Sequence, residues 1–273
     1  MNTAAPFCSW QKRVVVDTHA HLYPFYSLDQ WFDEAIKNLT PNDIATNGDG
    51  VEISRVVCLV DRNGQDSRTS IPTALRNGDI KLEFDSSERH ATLKRDESVL
   101  ELIFGTQSVA KEGIEVLGLG VSVRPSEGAF AEEIIQHILN QGGLPVLPWS
   151  PGKWLGKRGR TIHAMLNIFG PQVLTVGDVA IRSTWGPPSA LLHHAKSSGF
   201  AVLYGSDPLP FSDEEKMVGA FGLQMEGTFS GPTFLHALLS DLRDGTKPKL
   251  QHGLRCKPMQ ALQRFTRSIT PAK

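Results

Sequence analysis

Two histidines, His19 and His21, stand two residues apart where the apolar run Val14-Val15-Val16 gives out. Along an extended strand residues i and i+2 share a face, so both imidazoles project together from one strand end. That arrangement is half of a metal site. Asp207 lies just past another apolar run, FAVLYGSDP, and Gln107 past a third. Two imidazoles and a carboxylate, with the amide oxygen of Gln107 as a further donor, make a ligand set for one divalent ion, zinc, manganese or iron. Such an ion lowers the pKa of bound water and makes a nucleophile near neutral pH. Asp17, just before the pair, is expected in a structural or supporting role.

Cations form the second pattern. Arg62, Arg124 and Arg182 each follow a different apolar run, and Lys153, Lys157, Arg158 and Arg160 crowd the glycine-containing loop SPGKWLGKRGR. Gathered at one mouth they would suit phosphate or carboxylate, and a loop running into a helix start adds backbone N–H donors. Asp61 and Asp178 occur at the same run ends. They are candidates for general base, but ion pairing with the arginines suits them better. The other histidines are weaker candidates. His193 and His194 sit on a predicted amphipathic helix, and His90 with Glu83 on a predicted hairpin. Ser206 lacks the glycine pattern of a nucleophile elbow.

These residues need a frame that brings run ends together. The chain alternates strand-like runs (Val14–Val16, Ser54–Val60, Leu100–Val109, Ile114–Val123, LPVLPW, VLTVGDVA, FAVLYG) with helical periodicity, as in Ser27–Leu39, about Glu127–Asn140 and about Thr161–Phe169. Ser27 is the expected N-cap of the first helix. The pattern predicts one parallel α/β barrel domain over residues 1–273. A hairpin excursion near 80–95 interrupts it, and a segment from 228 to 270 follows, helical in two pieces. In such barrels the chemistry gathers at the C-terminal strand ends.

With 273 residues and a net charge of -1, the chain offers no global argument for nucleic acid or an acidic membrane. Three cysteines are too few for a disulfide framework, and Cys58 reads as a small core residue. The N-terminal stretch lacks an apolar signal region and no run approaches a membrane span, so a cytoplasmic protein is expected. The partner expected from the cations is an anionic small molecule. A protein partner at the mouth or hairpin is the alternative.

DTHAH after the first strand, KEGIEVLGLG, QGGLPVLPW, and YGSDPLP followed by MVGAFG resemble the polymerase and histidinol phosphatase (PHP) superfamily of metal-dependent phosphoesterases. The match runs in order from about Val14 to Gly222. More distantly, DTHAHLY and GSDP are similar to the amidohydrolase and TatD-like barrels. The PHP resemblance implies a distorted (β/α)7 barrel, TIM-barrel-like, with a site of two or three metals. Set against that pattern the site is depleted. His19, His21 and Asp207 remain, while Gln107 stands for a bridging glutamate, and Arg62, Leu117, Trp149 and Leu209 stand for histidines. The resemblance therefore implies a metal-dependent hydrolase, of phosphoesterase type, reduced to one metal. The alternatives are an inactive binding protein on the same barrel, or an amidohydrolase-like enzyme, for which Lys153 would be the additional ligand.

Overall fold

Val14, Val15 and Val16 lie in strand β1 (Lys12–Ala20), and strand alternation sends them into two different cores. Val14 and Val16 pack with Val56, Cys58, Val60, Leu117, Val146 and Leu203, whereas Val15 packs with Trp31, Phe32, Val57, Leu59 and Leu102. A strand buried on both faces belongs to a covered parallel sheet or barrel. The structure, a computed structural model, describes residues 12–269 apart from 44–49, 76–78, 185–188, 228 and 230.

After β1 come α1 (Leu28–Asn38), capped by Ser27 as expected, then β2 (Glu52–Asp61) and α2 (Ser67–Ala74). The excursion is a hairpin, β3 (Lys81–Phe84) with β4 (His90–Arg95), and β4 also pairs with the long β5 (Ser98–Val109). His90 is more than a solvated residue: its ring stacks on Phe234 and its Nε2 lies 2.8 Å from Glu101. There follow β6 (Glu115–Leu119), α3 (Ala131–Asn140), β7 (Leu144–Pro148), α4 (Gly156–Phe169), β8 (Thr175–Val179), α5 (Ala190–Ser197) and β9 (Val202–Gly205).

Hydrogen bonding orders these strands β1-β2-β5-β6-β7-β8-β9. The ends of that path come together where Thr18 Oγ1 donates to the Tyr204 carbonyl at 2.8 Å and the Asp207 N–H to the His19 carbonyl at 2.8 Å. Gly205 allows the approach, since a Cβ there would fall 2.6 Å from the His19 backbone nitrogen. The result is the expected seven-stranded, nearly closed barrel, with one departure from a regular (β/α)7 plan. Strand β6 runs antiparallel to both β5 and β7, because the turn Ala110–Ile114 sends the chain straight back instead of through a helix.

The C-terminal region differs from the two-helix expectation. Strands β10 (Phe221–Glu226) and β11 (Leu250–Gly253) extend the sheet beyond β1, so β9 is not the last strand. Helix α6 (Phe234–Arg243) is a core element: its Leu235, Leu238, Leu239 and Leu242 join the barrel's interior cluster. It closes the end where β6 finishes, packing Leu235 and Leu239 against Gly120. Helix α7 (Pro258–Ile269) is the last described element, and residues 228, 230 and 270 of the expected segment lie outside the described residues. Among the described residues no helix is long and apolar enough to cross a membrane.

Candidate metal centre

At the mouth, His19 Nε2 lies 3.2 Å from His21 Nε2, and Asp207 Oδ1 stands 3.6 and 3.5 Å from the two nitrogens. Gln107 Oε1 is 3.2 Å from His19 Nε2. Among the described residues no other group of three His, Cys, Asp or Glu side chains brings its donor atoms together in this way. Ligands at about 2.0–2.2 Å in a tetrahedral shell stand roughly 3.3–3.5 Å apart, so these separations suit one ion. The chemistry of the set agrees. His21 Nδ1 lies 2.8 Å from the Val60 carbonyl and so carries the ring proton, leaving Nε2 as a lone pair facing the cluster. Two imidazole nitrogens, a carboxylate oxygen and an amide oxygen facing one another are a donor set that could hold one divalent cation.

Local electrostatics keep the set ready for one. Burial pushes the His19 pKa down, outweighing the attraction of Asp207 and Glu115. Burial also opposes the charge on Asp207, but His19, His21 and Arg264 together outweigh it and hold this carboxyl well below its usual range. Asp207 adopts a left-handed backbone at φ 47°, uncommon for a non-glycine residue. The Arg264 guanidinium steadies it by donating to its carbonyl at 3.0 Å.

Asp17 is the frame beneath the pair. A register irregularity between Asp17 and Ala20 breaks the strand alternation there. Its carboxylate accepts from the N–H groups of His19, Ser206 and Gly219 and from Ser206 Oγ, tying β1 to the loop after β9. Burial pushes its pKa up to about 6 against those four donors. Ser206, fully buried and donating to Asp17, is structural too.

The sequence-derived cations divide. Arg62 stands at the mouth, where it donates to the Tyr23 hydroxyl and feels the charges of Glu115 and Asp207. Arg124 does not follow the end of a barrel strand. It reaches the mouth on the segment returning from β6, and its guanidinium clamps the carbonyls of Asp61, Arg62 and Gln107 and the Asn63 side chain. Arg182 grips both oxygens of Asp178, at 2.6 Å each, and Arg255 grips the same carboxylate. Lys153 pairs with Glu115 at 2.5 Å, and Lys157 is exposed in the first turn of α4.

Asp178 is thus an ion-pair partner, as expected. Asp61 is not: its two oxygens accept from Ser67 N and Oγ at 2.9 and 2.5 Å, anchoring the start of α2. Asp61→Asn is expected to lower stability by about 1–2 kcal/mol without changing metal content, read by denaturant midpoint and elemental analysis.

Two site residues escape a reading by strand ends. Tyr23 follows the histidines directly, with its ring centroid 5.6 Å from that of His21. Burial pushes its hydroxyl pKa up to about 12. Glu115 opens β6, and because β6 is reversed its first residue, not its last, lies at the mouth. There it takes Ser150 Oγ and Lys153. The turn signal KEG was the available clue. Leu117, by contrast, is buried in the barrel interior.

No protein-family model matches this chain, and no curated protein does. Solved structures do match. PsfC from Pseudomonas syringae PB-5123 aligns over 94% of this chain and 96% of its own at 14% identity, with a TM-score of 0.56. The lesion-specific endonuclease PfuEndoQ from Pyrococcus furiosus aligns over 88% of this chain at 12% identity and TM-score 0.53, and the chain spans 57% of its length. A two-domain protein from Bacteroides vulgatus containing a predicted PHP-like metal-dependent phosphoesterase aligns over 95% of this chain and 73% of its own, at 10% identity and TM-score 0.45. These are likenesses of fold. The architecture is the distorted, TIM-barrel-like α/β barrel that the resemblance to the PHP superfamily implied.

Proposed function

We propose that the chain is a divergent PHP-superfamily hydrolase with a site reduced to one divalent metal, zinc, manganese or iron, acting on an anionic small molecule of the phosphate-ester class. The convergence of His19, His21 and Asp207 within 3.2–3.6 Å carries this reading. These residues would hold the metal, with Gln107 as a fourth donor. The metal, when bound, would supply water activation near neutral pH.

The chain's own groups do the rest. Val60 fixes the His21 tautomer, and Arg264 holds the backbone of Asp207. Arg62 is the mouth cation placed to bind the ester's charge, because Arg124, Arg182 and Lys153 are engaged in clamps and ion pairs. Tyr23 keeps its proton well above neutral pH and can donate it in a hydrogen bond to the same anion. The amidohydrolase-like alternative loses its additional ligand, since Lys153 is tied to Glu115.

The test is turnover of a panel of phosphate monoesters by protein loaded with each ion, beside Asp207→Asn. Hydrolysis by the parent and none by the variant supports the reading; a metal-loaded parent that hydrolyses no ester overturns it. Within an active panel, Arg62→Ala is expected to raise KM roughly tenfold with kcat changed much less, because it removes ground-state binding of the anion.

A further inference from the structure

A cleft of about 880 Å³ opens past the ends of β7 and β8, away from the histidine pair. Barrels of this kind hold ligands at such strand ends, and the volume is that of a small-molecule site. Trp149, Trp154, Leu155 and Leu191 give it a largely apolar wall, and Arg160 and Arg182 line it as well. Among the described residues no carboxylate does. Both indoles are held from behind. The Trp149 backbone N–H donates to the Gly177 carbonyl at 2.8 Å, and Trp154 Nε1 donates to the Pro148 carbonyl at 2.9 Å. A wall already fixed in place loses little freedom when a ring lies on it.

The cations say what the other end of the ligand carries. Arg182 spends Nε and Nη2 on Asp178, at 2.6 Å each, while its Nη1 has no partner among the described residues and is open to solvent. Arg255 shares the same carboxylate, so two guanidiniums divide one negative charge and positive charge is left over. Arg160 is exposed and makes no ion pair among the described residues. The Arg182 guanidinium lies 6.0 Å from the Trp149 ring, which puts cation and aromatic surface side by side. A neutral ring would use the indole alone, and a cationic one would be repelled. A ring bearing an acid uses both. A carboxylate, with one charge, costs less to bring against a largely apolar wall than a doubly charged phosphate.

We infer that this cleft binds an aromatic carboxylate, with its ring on Trp149 and its carboxylate toward Arg182 and Arg160. The inference does not rest on the phosphate-ester reading.

Calorimetric titration of metal-free protein with indole-3-acetate, indole-3-acetamide and cyclohexylacetate tests it. The amide keeps the ring without the charge, and the aliphatic acid keeps the charge without the aromatic ring. Indole-3-acetate is expected to bind one site at least roughly tenfold tighter than either. Trp149→Leu should erase its advantage over cyclohexylacetate. Arg182→Gln should weaken it roughly tenfold and Arg160→Gln roughly threefold, with the amide unchanged in both. Arg160 is exposed, so its variant reads the charge even if Arg182→Gln fails to fold. His19→Ala/His21→Ala should bind indole-3-acetate as the parent does, which separates the cleft from capture of a carboxylate at the metal centre. No binding, equal affinities for the three probes, an advantage that survives in Trp149→Leu, or loss of binding in the histidine variant would each overturn the inference.

Discussion

Elemental analysis of the protein purified without added metal, then incubated with zinc, manganese or iron, is expected to return about one equivalent of metal for the parent and none for His19→Ala/His21→Ala. The argument is one of charge and lone pairs. Four electron-rich atoms meet at the mouth, and the ring proton of His21 faces the Val60 carbonyl, away from them. Removing both imidazoles leaves one carboxylate and one amide, too few donors to hold a divalent ion against water. Gln107→Ala should weaken the metal by less than either histidine substitution, because a neutral amide oxygen is the poorest donor of the set. Lowering the pH should release metal as the imidazoles protonate, with His19 resisting to lower pH than an exposed histidine because burial disfavours its charged form. A parent that takes up no metal from any of the three ions would sink the site.

The largest stability effect is expected at Arg264. Its guanidinium donates to both oxygens of Glu214 at 2.6–3.1 Å and to the Asp207 carbonyl, and both side chains of the ion pair are at most 8% exposed. Arg264→Ala strands a buried carboxylate, which costs about 3–5 kcal/mol. For a chain of this size that lowers Tm by roughly 10 °C. It should also weaken metal binding, since Asp207 at φ 47° loses the donor that holds its backbone. Arg264→Met with Glu214→Leu should recover much of the stability, because no buried charge is left unpaired, without restoring metal affinity. Unfolding curves and metal titrations on the parent and the two variants check both halves. A midpoint for Arg264→Ala equal to the parent's would show that the pair contributes nothing.

Local pattern made much of this molecule readable. A β-branched run ending in His-x-His has few ways to lie, and the apolar runs and turn residues set out the barrel strands before the tertiary structure did. Asp207 and Gln107 were found by the rule that a parallel strand delivers its last residues to the mouth. The same rule misplaced Arg124 and passed over Glu115, because one strand, β6, runs the other way. The strands β10 and β11 also escaped, being short: β10 pairs with the distant β1, and β11 pairs only with β10.

By itself, then, the sequence determined the strand-and-helix alternation, the histidine pair and the identity of its partners Asp207 and Gln107. Those follow from periodicities of two and 3.6 residues and from strand ends, which are local properties. Tertiary structure alone decided what each charge does. Arg124 became a backbone clamp, Arg182 shares Asp178 with Arg255, Lys153 went to Glu115, and Arg62 stayed at the mouth. A charge is worth most within a few ångströms of its partner and away from water, and in this barrel those distances are largely set by the tertiary fold, as between Asp178 and Arg255, 77 positions apart.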